Sequence, residues 1–147
     1  MRELRVVRAD PAGNITLFVL TPVEKAECAA VAAKLLAIEA LKAEQVGFIF
    51  PNGHMEMEAG EFCGNASLSA AAVIFSRAGL GEGLYCEELF EVSGAPEPVK
   101  ISGNMVNRAC FEGEVAMPLP ESISECSFLD GFEGYTFPLV RFPGICH

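Results

Sequence analysis

Apolar and polar positions change period several times along the chain, and each change marks an element. Leu4 to Arg8 and Ile15 to Leu20 are β-branched or apolar runs, separated by Asp10-Pro11-Ala12-Gly13-Asn14, whose residues favour a turn. An opening hairpin is predicted. Thr21-Pro22-Val23-Glu24 then offers a capping residue, a proline at the first helical position and a glutamate three residues after the cap. Val23, Ala26, Ala30, Ala33, Ala37 and Ala40 recur at helical spacing. Together they predict an amphipathic outer helix over Val23–Leu41, with that stripe packed and Glu24, Lys25, Glu27 and Lys34 solvated.

Gln45 to Phe50 is a second apolar run, closed by Pro51-Asn52-Gly53, and His54 to Glu58 alternates as a partner strand should. This reads as another hairpin. From Gly64 to Ala78 the residues are small or apolar almost throughout, and Gly79 suits the left-handed position that ends helices. That helix is expected to be buried all round. Leu84–Val92, Val99–Ser102, Val106–Phe111 and Glu114–Met117 read as short strands between turns.

Composition narrows the class. With 147 residues, 51% of them hydrophobic, the chain has enough apolar surface for the core of one ordinary domain. Twenty Asp plus Glu against ten Lys plus Arg give a net charge of −10, which would repel a phosphate backbone, so nucleic acid is not an expected partner. The N-terminus is charged where a signal peptide would be apolar, and the charge-free run Phe62–Ser76 is too short to span a bilayer. No membrane association and a cytoplasmic location are expected. Cys28, Cys63, Cys86, Cys110, Cys126 and Cys146 form no C-x-x-C pair, so reduced thiols are expected and no metal site.

The candidate chemistry concentrates at Glu61-Phe62-Cys63-Gly64-Asn65-Ala66-Ser67. A cysteine just before an apolar helix sits at the positive end of the macrodipole, where unpaired backbone N–H groups favour a thiolate and can hold a carboxylate. Gly64 removes bulk beside the thiol, and the Asn65 amide can cap the helix or grip a ligand. Spacing alone is equally consistent with Cys63 as a small buried residue and Asn65 as a plain cap.

Cys63-Gly64-Asn65 before a small-residue helix resembles the first catalytic motif of the diaminopimelate epimerase family, two-domain isomerases that use no pyridoxal phosphate. Pro11-Ala12-Gly13-Asn14 is similar to that family's N-terminal substrate-binding segment, and Glu44-Gln45-Val46-Gly47-Phe48-Ile49 to its pocket strand. With Val99-Lys100-Ile101-Ser102-Gly103 and Val115-Ala116-Met117-Pro118, the strings most resemble the histidine racemase branch serving bacterial opine-type metallophore synthesis. The resemblance implies an α+β fold of the diaminopimelate epimerase type: a curved mixed sheet or barrel wrapped around the helix after Cys63, with one outer helix. Residues 1–147 would then be the N-terminal domain of a two-domain enzyme whose C-terminal domain is absent.

By the same resemblance, Cys63 is one of two opposed acid–base thiols exchanging a proton at the substrate's α-carbon. Gly64 and Asn65 would hold the substrate carboxylate, Asn14 and Gln45 the amino-acid head group, and Glu44 a polar or cationic side chain such as that of histidine. Glu44 is equally consistent with an ordinary exposed charge at a strand start. No cofactor and no metal are implied; the expected partner is a small amino acid. Gly144-Ile145-Cys146-His147 departs from the family's Gly-Asn-Pro-His, which puts diaminopimelate itself in doubt and gives His147 little weight. His54, in an alternating strand, is left out of the site.

Inverting an α-carbon needs one group to remove the proton and another on the opposite face to return it. No other cysteine here has the Cys-Gly-Ser/Thr-Gly surround of the family's second thiol. The expectation is an N-terminal half that is inactive alone, completed by a missing C-terminal half or, less simply, by a homodimer partner. Two other classes stay open: a phenazine-biosynthesis-type isomerase using a carboxylate base, for which Glu44 could serve, and a non-catalytic ligand-binding domain of the same fold.

Overall fold

The opening hairpin forms where its pattern predicts. Strands β1 (Val6–Ala9) and β2 (Thr16–Val19) pair antiparallel, and in the turn between them Ala12 and Gly13 take positive φ while the Gly13 N–H donates to Asp10 Oδ1 at 2.9 Å. The protein is described here by a computed structural model covering residues 3–127, 131–142 and 145–146. β3 (Gln45–Ile49) lies parallel to β2 with Thr16 opposite Gln45, and β4 (Met55–Met57) returns antiparallel, giving a four-stranded sheet in the order β1-β2-β3-β4. A parallel neighbour requires a crossover. Helix α1 (Lys25–Leu36) and a 3-10 turn at Glu39–Leu41 supply it.

α1 departs from expectation at both ends and in its packed face: it stops at Leu36 and not at Leu41, the last residues forming the separate 3-10 turn. It starts at Lys25 and not beside Thr21, because the Thr21 hydroxyl is already engaged: it accepts the Arg5 N–H at 2.7 Å and fastens the end of the hairpin. Glu24 takes the N-cap position instead, with no side-chain cap. The packed face also differs. Cys28, Ala32 and Leu35 are buried, whereas Ala26, Ala30, Ala33, Ala37 and Ala40 are exposed. A leucine or valine withdraws more apolar area from water than an alanine does, so Leu35, Leu36 and Val31 set the rotation of the helix.

The first sheet is apolar on both faces, as the period of two requires of a sheet covered on both sides. Leu17, Val19, Val46 and Phe48 pack with α1, while Phe18, Ile49, Met55 and Met57 pack with a second helix, α2 (Gly64–Arg77). Gly47 leaves room for the Phe18 ring, since a Cβ there would stand 2.9 Å from its Cε1. Gly79, with φ of 83°, follows α2 in the left-handed position expected of it.

Strands β5 (Tyr85–Phe90), β6 (Val99–Asn107) and β7 (Cys110–Val115) form an antiparallel sheet on the other side of α2. Phe75 of α2 meets Phe90 edge-on, with centroids 5.5 Å apart, and lies 6.0 Å from Phe111. Ala66, Ala70 and Ala71 are at most 1% exposed. The two sheets touch at one isolated bridge, where the Met55 N–H donates to Glu91 O at 3.0 Å and the Ser93 N–H to Met55 O at 2.9 Å. The α+β class is as expected, but α2 is not buried all round: Ala66, Ser67, Ala70, Ala71 and Phe75 are buried while Asn65, Ser76 and Arg77 are exposed, because among the described residues the two sheets that flank it stay open and neither closes on itself. β6 also runs straight through the turn expected at Gly103. That glycine faces Gly113 across the β6–β7 pair, and a side chain on either would strike the partner strand and the Phe111 ring.

Residues Met117–His147 form a separate compact unit. Its strands β8 (Ser122–Cys126), β9 (Phe137–Phe142) and β10 (Ile145–Cys146) are antiparallel in the order β10-β9-β8. Phe132 packs edge-on against Phe137 at 5.7 Å. No described helix is long and apolar enough to cross a membrane.

Candidate functional site

Cys63 is the N-cap residue of α2, with extended backbone at φ −133° and ψ 110°. That position leaves the first N–H groups of the helix without intrahelical partners, so they point towards whatever lies beyond the thiol. The Cys63 carbonyl accepts both the Ser67 N–H and the Ser67 hydroxyl, each at 2.8 Å, which fixes the cap. Its half-buried Sγ lies against the Gln45 side chain at the start of β3, 3.5 Å from Nε2 and 3.6 Å from Oε1.

Gln45 is held in turn. Its Nε2 donates to Thr16 Oγ1 at 2.7 Å, and Thr16, fully buried, donates to the Asn14 carbonyl at 3.4 Å. Three of the residues expected at the site, Asn14, Gln45 and Cys63, are therefore brought together. Asn14 Oδ1 is buried with no hydrogen-bond partner among the described residues. An acceptor in that state is costly unless a donor reaches it. Gly64 is half-buried and Asn65 exposed beside the thiol, both on the first turn of α2. Glu44 has an exposed side chain, and its N–H donates to Ile15 O at 2.9 Å, extending the β2–β3 pairing.

Several residues that shape the site carry no chemical signature in the sequence. Ser93 Oγ accepts the Met57 N–H at 2.9 Å and donates to Glu61 O at 2.8 Å, tying the segment before Cys63 to β4. Gly94, with φ of 70°, lies so close to the Glu61–Phe62 backbone that any Cβ would collide with it. The nearest thing to a clue is the turn composition of Ser93-Gly94-Ala95-Pro96, thirty residues beyond the thiol. Glu58 accepts the Val46 N–H at 2.7 Å, yet burial still pushes its carboxyl above the usual carboxylate range. Thr16 reads as one more β-branched strand residue.

The remaining candidates lie elsewhere. Burial raises the Cys28 and Cys86 thiols above their ordinary range; Cys110 is exposed on β7 and Cys126 half-buried on β8. His54 stacks on Phe50 at 5.8 Å, with its ring nitrogens 4.0 Å from Glu56 and Glu91. Gly144 and His147 lie outside the described residues. Among the described residues no three His, Cys, Asp or Glu side chains gather as a metal site requires. An open groove lined by Ser76, Leu80, Glu82, Met105 and Arg108 stands at the far end of α2 from Cys63.

An N-cap thiol, a carboxamide in contact with it and free helix N–H groups form a constellation suited to holding a carboxylate while a proton moves nearby. The family model described as the histidine racemase CntK N-terminal domain matches residues 3–147. This chain belongs to that family. Two proteins named histidine racemase, from two strains of Fusobacterium nucleatum subsp. nucleatum, align over the whole of it at 28% and 31% identity, covering 54% of each relative. A histidine racemase of Staphylococcus aureus is 37% identical over 67 residues, 41% of this chain and 24% of that protein. The chain thus spans about half the length of the histidine racemases that it matches end to end.

Proposed function

We propose that this chain is the N-terminal half of a histidine racemase that uses no pyridoxal phosphate, with Cys63 as one of two opposed acid–base thiols. The observation that carries the reading is the placement of Cys63 Sγ at the N-cap of α2 against Gln45, within a chain of the histidine racemase family. The Cys63 thiolate takes the proton from one face of Cα. The Cα–H bond breaks, an S–H bond forms, and the electron pair stays on the substrate, delocalised into its carboxylate. A second thiol, from the C-terminal half, returns a proton to the opposite face. For the other enantiomer the two thiols exchange roles.

Gly64 and Asn65 N–H groups would hold the carboxylate and stabilise the developing charge. The unpartnered Asn14 Oδ1 supports a head-group role, because a substrate ammonium would supply the donor it lacks. Glu44, exposed at the start of β3, would accept from the imidazole. In this reading α2 is the central helix of a diaminopimelate epimerase-like half, and the enzyme works in the cytoplasm, where thiols stay reduced.

The test is racemisation of L-histidine in deuterium oxide by the complete protein. Cys63→Ser should lower D-histidine formation by about a hundredfold or more, the scale of a lost acid–base group. Activity that survives Cys63→Ser would end the reading. In the same assay, Glu44→Gln should lower kcat/KM for histidine roughly tenfold to a hundredfold while leaving alanine unchanged. An equal fall for both amino acids would remove the side-chain role from Glu44.

A further inference from the structure

A thiol that serves as base in one direction and acid in the other must be accommodated in two protonation states. A thiolate accepts hydrogen bonds, whereas a thiol also needs an acceptor for its S–H. A carboxamide is one of the few side chains that presents both complements from a single planar group. Gln45 presents them to Cys63: Nε2 stands 3.5 Å from Sγ as a donor, and Oε1 stands 3.6 Å away as an acceptor. Such a partner is useful only if the amide is prevented from turning over, which would exchange its two ends.

The group that prevents it is the Thr16 hydroxyl. Thr16 sits opposite Gln45 in the parallel β2–β3 register, so the two side chains leave matched positions on neighbouring strands. Its single hydroxyl proton goes to the Asn14 carbonyl at 3.4 Å, so towards Gln45 the oxygen can only accept. It accepts Nε2 at 2.7 Å. Thr16 is fully buried, so no water competes for that bond. We propose that Thr16 is a positioning residue, which locks the Gln45 amide in the one orientation that serves Cys63 both as thiol and as thiolate.

The proposal rests on the reading of Cys63 as the proton-exchanging thiol, and it adds to Gln45 a role beyond gripping substrate. Among the described residues both hydrogen bonds of Sγ run to Gln45. The carboxylates on the neighbouring segments are Glu44 before Gln45, Glu58 bonded to β3 at Val46, and Glu61 in the loop before Cys63. None of these is altered by the variants below.

The experiment follows alkylation of Cys63 by iodoacetamide in this chain, resolved from the other thiols by mass spectrometry, as a function of pH. Thr16→Val keeps the shape of the side chain and removes the hydroxyl. Alkylation near pH 7 should slow about tenfold, since the thiolate loses its oriented donor, while the rate on the alkaline plateau of the profile stays the same. Thr16→Ser restores the hydroxyl and should return the rate at about pH 7 to within roughly twofold of wild type. Gln45→Met deletes the amide itself and should reproduce the Thr16→Val profile, which keeps the test open if Thr16→Val fails to fold. A wild-type profile in folded Thr16→Val or in Gln45→Met overturns the proposal, as does slowing at every pH that Thr16→Ser does not repair. Failure of the racemase reading would appear elsewhere, as racemisation that survives Cys63→Ser.

Discussion

The two helices of the first unit are both rich in alanine, and they use it in opposite ways. In α1 the stripe alanines Ala26, Ala30 and Ala33 face solvent, and the helix is held by Cys28, Ala32 and Leu35. In α2 three alanines belong to the core: Ala66, Ala70 and Ala71 lie buried between two sheets, with Phe75 beside them. A helix covered on one side rotates to bury its largest residues; one packed between two sheets buries small residues as well. Each helix also carries a cysteine. Cys28 faces the core from the first turn of α1, whereas Cys63 stands at the N-cap of α2 beside a polar chain of Gln45 and Thr16.

The contrast between the cysteines gives the larger measurable effect. Iodoacetamide at neutral pH should modify Cys63 ahead of Cys28 by on the order of a hundredfold, because Cys28 is buried, its thiol is raised by burial, and it must wait for local opening. Peptide mass spectrometry over a time course reads both rates in one sample. Labelling of Cys28 at the rate of Cys63 would mean that α1 opens freely and that the two helices are not differently held.

The contrast between the alanines gives a smaller one. Ala71→Leu inserts three carbons where no space remains and should cost about 1–3 kcal/mol of unfolding free energy, whereas Ala30→Leu on the open face of α1 should change it by less than about 0.5 kcal/mol. Urea titrations followed by circular dichroism compare the two. Equal effects would show that the space around α2 relaxes as readily as the surface of α1.

The same contrast explains what could be read from the sequence. α2 is legible at both ends because its apolar run is unbroken and Gly79 closes it, so no choice of face had to be made. α1 is legible as a helix but not in its rotation, since an alanine stripe and a leucine-containing stripe fit the same period and only the sheet decides between them. Its start is obscured because the Thr21 hydroxyl serves Arg5, a partner sixteen residues away. At the site, Cys63, Asn14 and Gln45 stand in recognisable strings and do converge. Thr16, Ser93 and Gly94 could not be found that way: each acts through strand register or backbone contact, and neither is written in local composition.

The seryl bridge between β4 and the loop before Cys63 carries a consequence for biosynthesis. Ser93 reaches Glu61 across 32 residues of chain, and Gln45 reaches back 29 to Thr16. Contacts of such separation form only after the intervening loops have closed. A ribosome that has just released Cys63 has already delivered Thr16 and Gln45, but Ser93, which shapes the loop, follows thirty residues later in the chain. During that interval the thiol is tethered at one side only.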